Sequence, residues 1–188
     1  MTELILYTEQ YFAATLRRIE AFWGFHSGLV GREDEAEQIK SGEESPVLDD
    51  LRRWTAEDHR LYVILQDGQD VGFVHLYRAG PIVMELADIF VDKERRGQGI
   101  ATRAIALAEQ KAKEEPGVEA MVLQVVTRNE DALRLYRRLG GEIITLGSDA
   151  HTPEYISCAM EERQELLKDC GLRYFATYDR KKPIFHKI

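Results

Sequence analysis

The stretch FVDKERRGQGIATRAIALAEQ, Phe90 to Gln110, constrains this chain more than any other. An apolar run from Ile82 to Asp92 ends in two arginines, then in two glycines spaced two apart, and a helix follows at once. Ile100, Ala104, Ala108 and Ala112 recur at i, i+4, so one helical face is apolar. Pro116-Gly117 stops that helix, and EAMVLQVV resumes as a buried-type strand. A strand, a glycine turn, a helix and a further strand make a β–α–β unit from Ile82 to Val126, which calls for parallel pairing inside a larger sheet.

The flanking segments extend the pattern. Leu4 to Thr8 reads as a short strand, and Phe12, Leu16, Ile19, Ala21 and Phe22 fall near helical spacing. The polar stretch from Ser27 to Pro46 reads as a loop, or a loop with one short helix; it serves equally as a surface connection or a substrate lid. RLYVILQ and DVGFVHLYR flank DGQD, a hairpin signal. TRNEDALRLYRRLGG reads as a short helix with acids in its first turn and arginines in its last, and EIITL as one more strand. The 188 residues suit one domain with an appendage.

The glycine turn has its own chemistry. A helix N-terminus carries unpaired N–H groups and a partial positive charge. Glycines let that backbone approach an anion closely, and Arg95 and Arg96 add charge at the same mouth. A pyrophosphate suits such a place. The third glycine of the dinucleotide fingerprint is missing, and no Gly-Lys-Ser/Thr follows, so neither a Rossmann nor a Walker loop is present. The competing reading is a tight strand–helix turn that needs glycine for its own sake.

Together, Arg96-Gly97-Gln98-Gly99-Ile100-Ala101 and the later Asn129, Leu135, Tyr136 and Gly140 resemble the two motifs of the GNAT superfamily of acetyl-CoA-dependent N-acetyltransferases. The likeness is good from Ile82 to Leu146 and in outline before that. It implies an α/β fold with a central mixed, mostly antiparallel twisted sheet flanked by helices, occupying residues 1–146, with residues 147–188 as an appended helix–strand segment. It implies that the backbone of Arg96 to Ala101, with Thr102 close by, cradles the pyrophosphate of acetyl-CoA. It implies that Ile89, Phe90 and Val91 pair with the pantetheine arm. Asn129 is either a cofactor contact or an N-cap. Glu85 stands where some members carry a catalytic glutamate, and its other reading is a plain strand carboxylate. Tyr136 is the expected proton donor to the leaving thiolate, with helix packing as its alternative. Asp88 is a weaker base, and on a regular strand it faces away from Glu85.

The tail contains LGSDAHTPEY and, later, Arg-Lys-Lys-Pro. It resembles the end of PHP-type histidinol phosphatases, in which an Asp and a His matching Asp149 and His151 bind metal. The N-terminal His-x-His of that family is absent, and two ligands on a two-residue spacer fall short of the usual three or four. No metal is expected, and the tail reads as a fragment that packs on the domain or completes its sheet.

Net charge is −8 with no compensating basic stripe, which argues against nucleic acid or an anionic membrane as main partner and suits a cationic amine. Cys158 and Cys170 form no CxxC pair, and the first residues lack a signal-peptide pattern, so reduced thiols in the cytoplasm are expected. The expected reaction is acetyl transfer from acetyl-CoA to a primary amine of a small molecule or peptide. The alternatives are a catalytically silent acyl-CoA-binding module and a metal-dependent phosphoesterase. Oligomeric state is open, with the homodimer frequent in the family resembled.

Overall fold

A computed structural model describes residues 1–30, 46–126, 129–140, 145, 160–169, 173–179 and 182–188. The chain divides into two compact units, Met1–Gln124 and Val125–Ile188.

The first unit is built on five strands in the order β1-β2-β3-β4-β5. These are β1 (Thr2–Leu6), β2 (His59–Gln66), β3 (Gln69–Gly80), β4 (Val83–Val91) and β5 (Ala120–Leu123). The first four pair antiparallel and β5 joins β4 parallel, the mixed, mostly antiparallel sheet expected from the sequence. β2 and β3 turn at Asp67-Gly68, both with positive φ (52° and 77°), the geometry a two-residue hairpin turn requires. Asp67 is a residue type that tolerates it.

Among the described residues three helices cover the sheet: α1 (Phe12–Val30), α2 (Pro46–Trp54) and α3 (Ile100–Glu114). α1 begins at Phe12, the first of the periodic positions, and runs further than expected, taking in Ser27 to Val30 of the stretch that reads as loop. α2 lies wholly beyond the elements read from the sequence. Its Val47, Leu51 and Trp54 are buried with Ile19 of α1 against Leu61 and Phe73 of the sheet. The alternate residues Ile64, Val74, Leu76, Met84 and Leu86 are buried on the opposite face, where α3 presents Ile100, Ala104, Ile105, Ala108 and Ala112. At about 25 cal/mol per Å² of apolar surface removed from water, each of these layers stabilises the sheet far more than helix propensity alone would.

In the second unit α4 (Glu130–Arg138), α5 (Met160–Asp169) and a hairpin of β6 (Tyr174–Asp179) and β7 (Lys182–Lys187) are described. All of the expected strand EIITL except Thr145, and the residues Asp149 and His151, lie outside the described residues, as do Cys158 and Cys170. Among the described residues no helix is long and apolar enough to cross a membrane.

Candidate active site

β4 pairs with β3 along its length, but with β5 only from Val83 to Leu86. Beyond the Leu86–Leu123 pair the ladder to β5 stops, while β4 continues through Ile89, Phe90 and Val91. A short helical turn, Lys93–Arg95, then leads into the glycine loop. Gly97 and Gly99 have φ of +74° and +71°, where side chains with a Cβ are strained, and Gly99 is the N-cap of α3. Arg96, Gly97, Gln98, Gly99 and Thr102 are exposed, Ala101 is half-buried, and Ile100 is buried under the helix. The turn is held from outside its own backbone. Arg96 Nε donates to the Val91 carbonyl oxygen at 2.9 Å, and its guanidinium lies 5.3 Å from the Phe90 ring centroid. Arg103 reaches back to donate to the Gln98 carbonyl at 3.0 Å and to Thr2 Oγ1 at 2.7 Å.

The same end of the structure is anchored by Arg18 of α1. Its guanidinium donates to both Asp92 oxygens at 2.8 and 2.7 Å, and also to the Asp70 carboxylate and backbone carbonyl. Asp92 directly follows β4, so α1 is tied to the start of the turn.

The sheet face under α1 and α2 carries an unusual run of titratable groups. The pairing of β3 with β4 shifts between His75 and Leu76, so that Ala87 is an extra residue in β4. The strict alternation expected for Glu85 and Asp88 therefore fails: Glu85 stands opposite Tyr77 and Asp88 opposite His75, and both carboxylates point to the same face. Glu85 is buried; Tyr77 Oη donates to it at 2.7 Å and Gln124 Nε2 at 3.3 Å. That bond to Glu85, with burial, raises the Tyr77 phenol above its usual range. Asp88 Oδ2 lies 2.8 Å from His75 Nδ1, and His75 Nε2 lies 2.8 Å from His59 Nδ1. Trp54 stacks on His75 with ring centroids 4.5 Å apart. Burial, aided by His75 and Arg53, holds the His59 imidazole below its ordinary value.

His59 and His75 have no ligand spacing along the chain; only the β2–β3 register brings them together. An open groove of about 430 Å³ lined by Leu4, Leu6, Tyr62 and Lys111 lies on the α3 side and touches none of these groups. Among the described residues no three His, Cys, Asp or Glu side chains converge as a metal group.

Asn129 and Tyr136 belong to the second unit. Asn129 caps α4, its side chain accepting from the Ala132 N–H at 3.3 Å. Tyr136 is half-buried on the same helix.

Residues 20–141 match the sequence model of the Acetyltransferase (GNAT) family. That match ends before the tail, so the phosphatase likeness gains no support from it. No curated protein matches the sequence. Several solved structures share the fold. YycN from Bacillus subtilis is 20% identical over 81% of this chain and 99% of its own, with a TM-score of 0.64. The PaiA N-acetyltransferase from Thermoplasma acidophilum, in complex with coenzyme A, is 17% identical over 78% and 92%, with a TM-score of 0.61. AAC(6')-Iy, in complex with the bisubstrate analogue CoA-S-monomethyl-acetylneamine, is 17% identical over 76% and 91%, with a TM-score of 0.54.

Proposed function

The chain belongs to the acetyltransferase (GNAT) family and is an N-acetyltransferase, and we propose that it moves the acetyl group of acetyl-CoA directly to a primary amine of a small cationic molecule. The observation that carries the cofactor reading is the exposed turn from Arg96 to Gly99, which opens α3 where β4 has outrun β5. In this reading the N–H groups of Arg96 to Ala101, with Thr102, hold the pyrophosphate. The backbone of Ile89, Phe90 and Val91, past the end of the β5 ladder, meets the pantetheine arm, and the family likeness makes Asn129 a further candidate cofactor contact. The same residues fit the group in its chemistry: glycines keep the approach open and Arg96 adds charge.

Glu85 takes a proton from the acceptor amine, directly or through water. A free alkylamine is largely protonated at neutral pH, lysine's reference pKa of about 10.4 giving the scale, so a base is required. Tyr136 returns a proton to the departing thiolate. The aminoglycoside-derived half of the AAC(6')-Iy ligand supports a polycationic small molecule over a peptide as acceptor, and the acidic chain suits it. A cytoplasmic homodimer is the proposed working form. For the tail we propose no activity of its own, since Asp149 and His151 would supply only two ligands.

The test is a calorimetric titration of metal-stripped protein with acetyl-CoA, followed by thiol release with a panel of amines including neamine. One-to-one micromolar binding and amine-dependent release are expected. Binding without release from any amine would leave only the silent module, and no binding would remove the cofactor reading altogether.

A further inference from the structure

Between a protonated amine and an amide the acceptor nitrogen loses two protons. One balances the CoA thiolate; the other has to leave the protein. Resting on the reading above, Glu85 is one acceptor, yet it is buried and already accepts from Tyr77 and Gln124. Beside it runs a second line of bases. The Asp88 carboxylate, 14% exposed, accepts from His75 Nδ1 and so keeps the proton on that nitrogen. His75 Nε2 is then a lone pair, and His59 Nδ1 donates to it. The proton of His59 being on Nδ1, its Nε2 is left as the basic atom. His75 is 3% exposed and clamped by the Trp54 ring, which fixes its orientation. His59 is half-buried at the start of β2 and lies against the Tyr77 ring, so His59, Tyr77 and Glu85 form one row across β2, β3 and β4.

We propose that His59 is a second base of the transfer, taking through Nε2 the acceptor proton destined for solvent, with His75 and Asp88 as its positioning residues. An N–H bond of the acceptor nitrogen breaks and leaves its electron pair on nitrogen. A new N–H bond forms at His59 Nε2, directly or through one water, and the imidazolium then yields that proton to bulk water. No redox partner enters, and Asp88 offsets the transient charge through His75, which stands as one more imidazole between carboxylate and base than in the Asp–His pairs of acyl transfer. The groups facing His59 are His75 and Tyr77 from β3, Arg53 of α2 and Asp58 of the turn after it, with Glu85 and Asp88 on β4 beyond; Asp50 of α2 acts on His75 and Asp88. Burial, His75 and Arg53 outweigh Asp58, so His59 is neutral at pH 7 and able to accept.

The experiment measures kcat against pH for the full chain, with the best amine of the panel, alongside acetyl-CoA titrations. His59→Ala should lose about 100-fold in kcat at pH 7, lose one inflection of the acid limb, and regain activity with added imidazole, while binding acetyl-CoA as before. His75→Gln should lower kcat without imidazole rescue and shift the acid limb. His59→Gln, closer in size, guards against a folding defect and should resemble His59→Ala. Unchanged kcat and acid limb in both His59 variants, or a loss that imidazole does not restore while binding is intact, would overturn the proposal and leave the transferase reading standing. No thiol release by the unaltered protein with any amine would overturn both.

Discussion

Arg18→Met tests whether the tie between α1 and the glycine turn is energetically real. The Arg18 side chain is 11% exposed, and its partners Asp70 and Asp92 are 19% and 30% exposed. Removing the guanidinium leaves two partly buried carboxylates facing each other with no counter-charge. Breaking a fully buried pair by deleting one partner costs about 3–5 kcal/mol. The residual exposure lets water in and lowers that to about 2–3 kcal/mol, still more than an exposed ion pair contributes. With a urea dependence of about 2 kcal/mol per molar, the midpoint should fall by about 1–1.5 M. Tryptophan fluorescence is the assay, because both tryptophans, Trp23 and Trp54, lie in the first unit and report its unfolding alone. Arg18→Met should also weaken acetyl-CoA, since Asp92 holds the turn through its carbonyl bond to the Arg95 N–H. Adding Asp92→Asn should restore part of the lost stability by removing one of the stranded charges. A midpoint shift under about 0.25 M would refute the reasoning, showing that the freed carboxylates are solvated at no cost.

Gly99→Val forces a β-branched side chain to φ near +71° and towards the Arg103 guanidinium; strain of about 1–3 kcal/mol predicts a roughly 5- to 150-fold rise in the acetyl-CoA dissociation constant by calorimetry. Glu85→Gln keeps the hydrogen-bond geometry of Tyr77 and Gln124 within reach but removes the base, so kcat should fall by about 100-fold or more with acetyl-CoA affinity unchanged; equal activity would move the base elsewhere. Asp50 is pushed up by burial, against the lowering pull of Arg53 and of the Trp23 indole that donates to it at 2.8 Å. A raised carboxyl contributes stability at low pH that is lost as pH rises through its folded value. Asp50→Asn should therefore gain thermal stability at pH 7 relative to the parent, and the gain should vanish near pH 3.

Much of this architecture is legible in one dimension because it depends on neighbours along the chain. The i, i+4 alanines of α3, the Asp67-Gly68 turn, and the strand–glycine–helix junction at Gly97 and Gly99 all follow from local backbone preferences and periodicity. These features, with the Asn129…Tyr136 helix, also identified the family. α2 does carry a local signal, with Val47, Leu51 and Trp54 at i, i+4 and i+7, but it spans only nine residues beside a polar stretch, and its burial comes from Ile19 and Phe73 elsewhere in the sequence. Strand limits moved by one or two residues, and the strand expected over Glu119–Val126 shrank to four, because pairing partners rather than composition end a ladder.

The sequence by itself determined the elements around the cofactor turn and the chemistry that turn can offer. Only the tertiary structure decided which side chains share a face. One extra residue, Ala87, reverses the alternation of β4 and turns Asp88 to the side of Glu85. The β2–β3 register then sets His59 beside His75. A bulge is a compromise between two strands over where each fits its neighbours, so it has no signature in either strand alone.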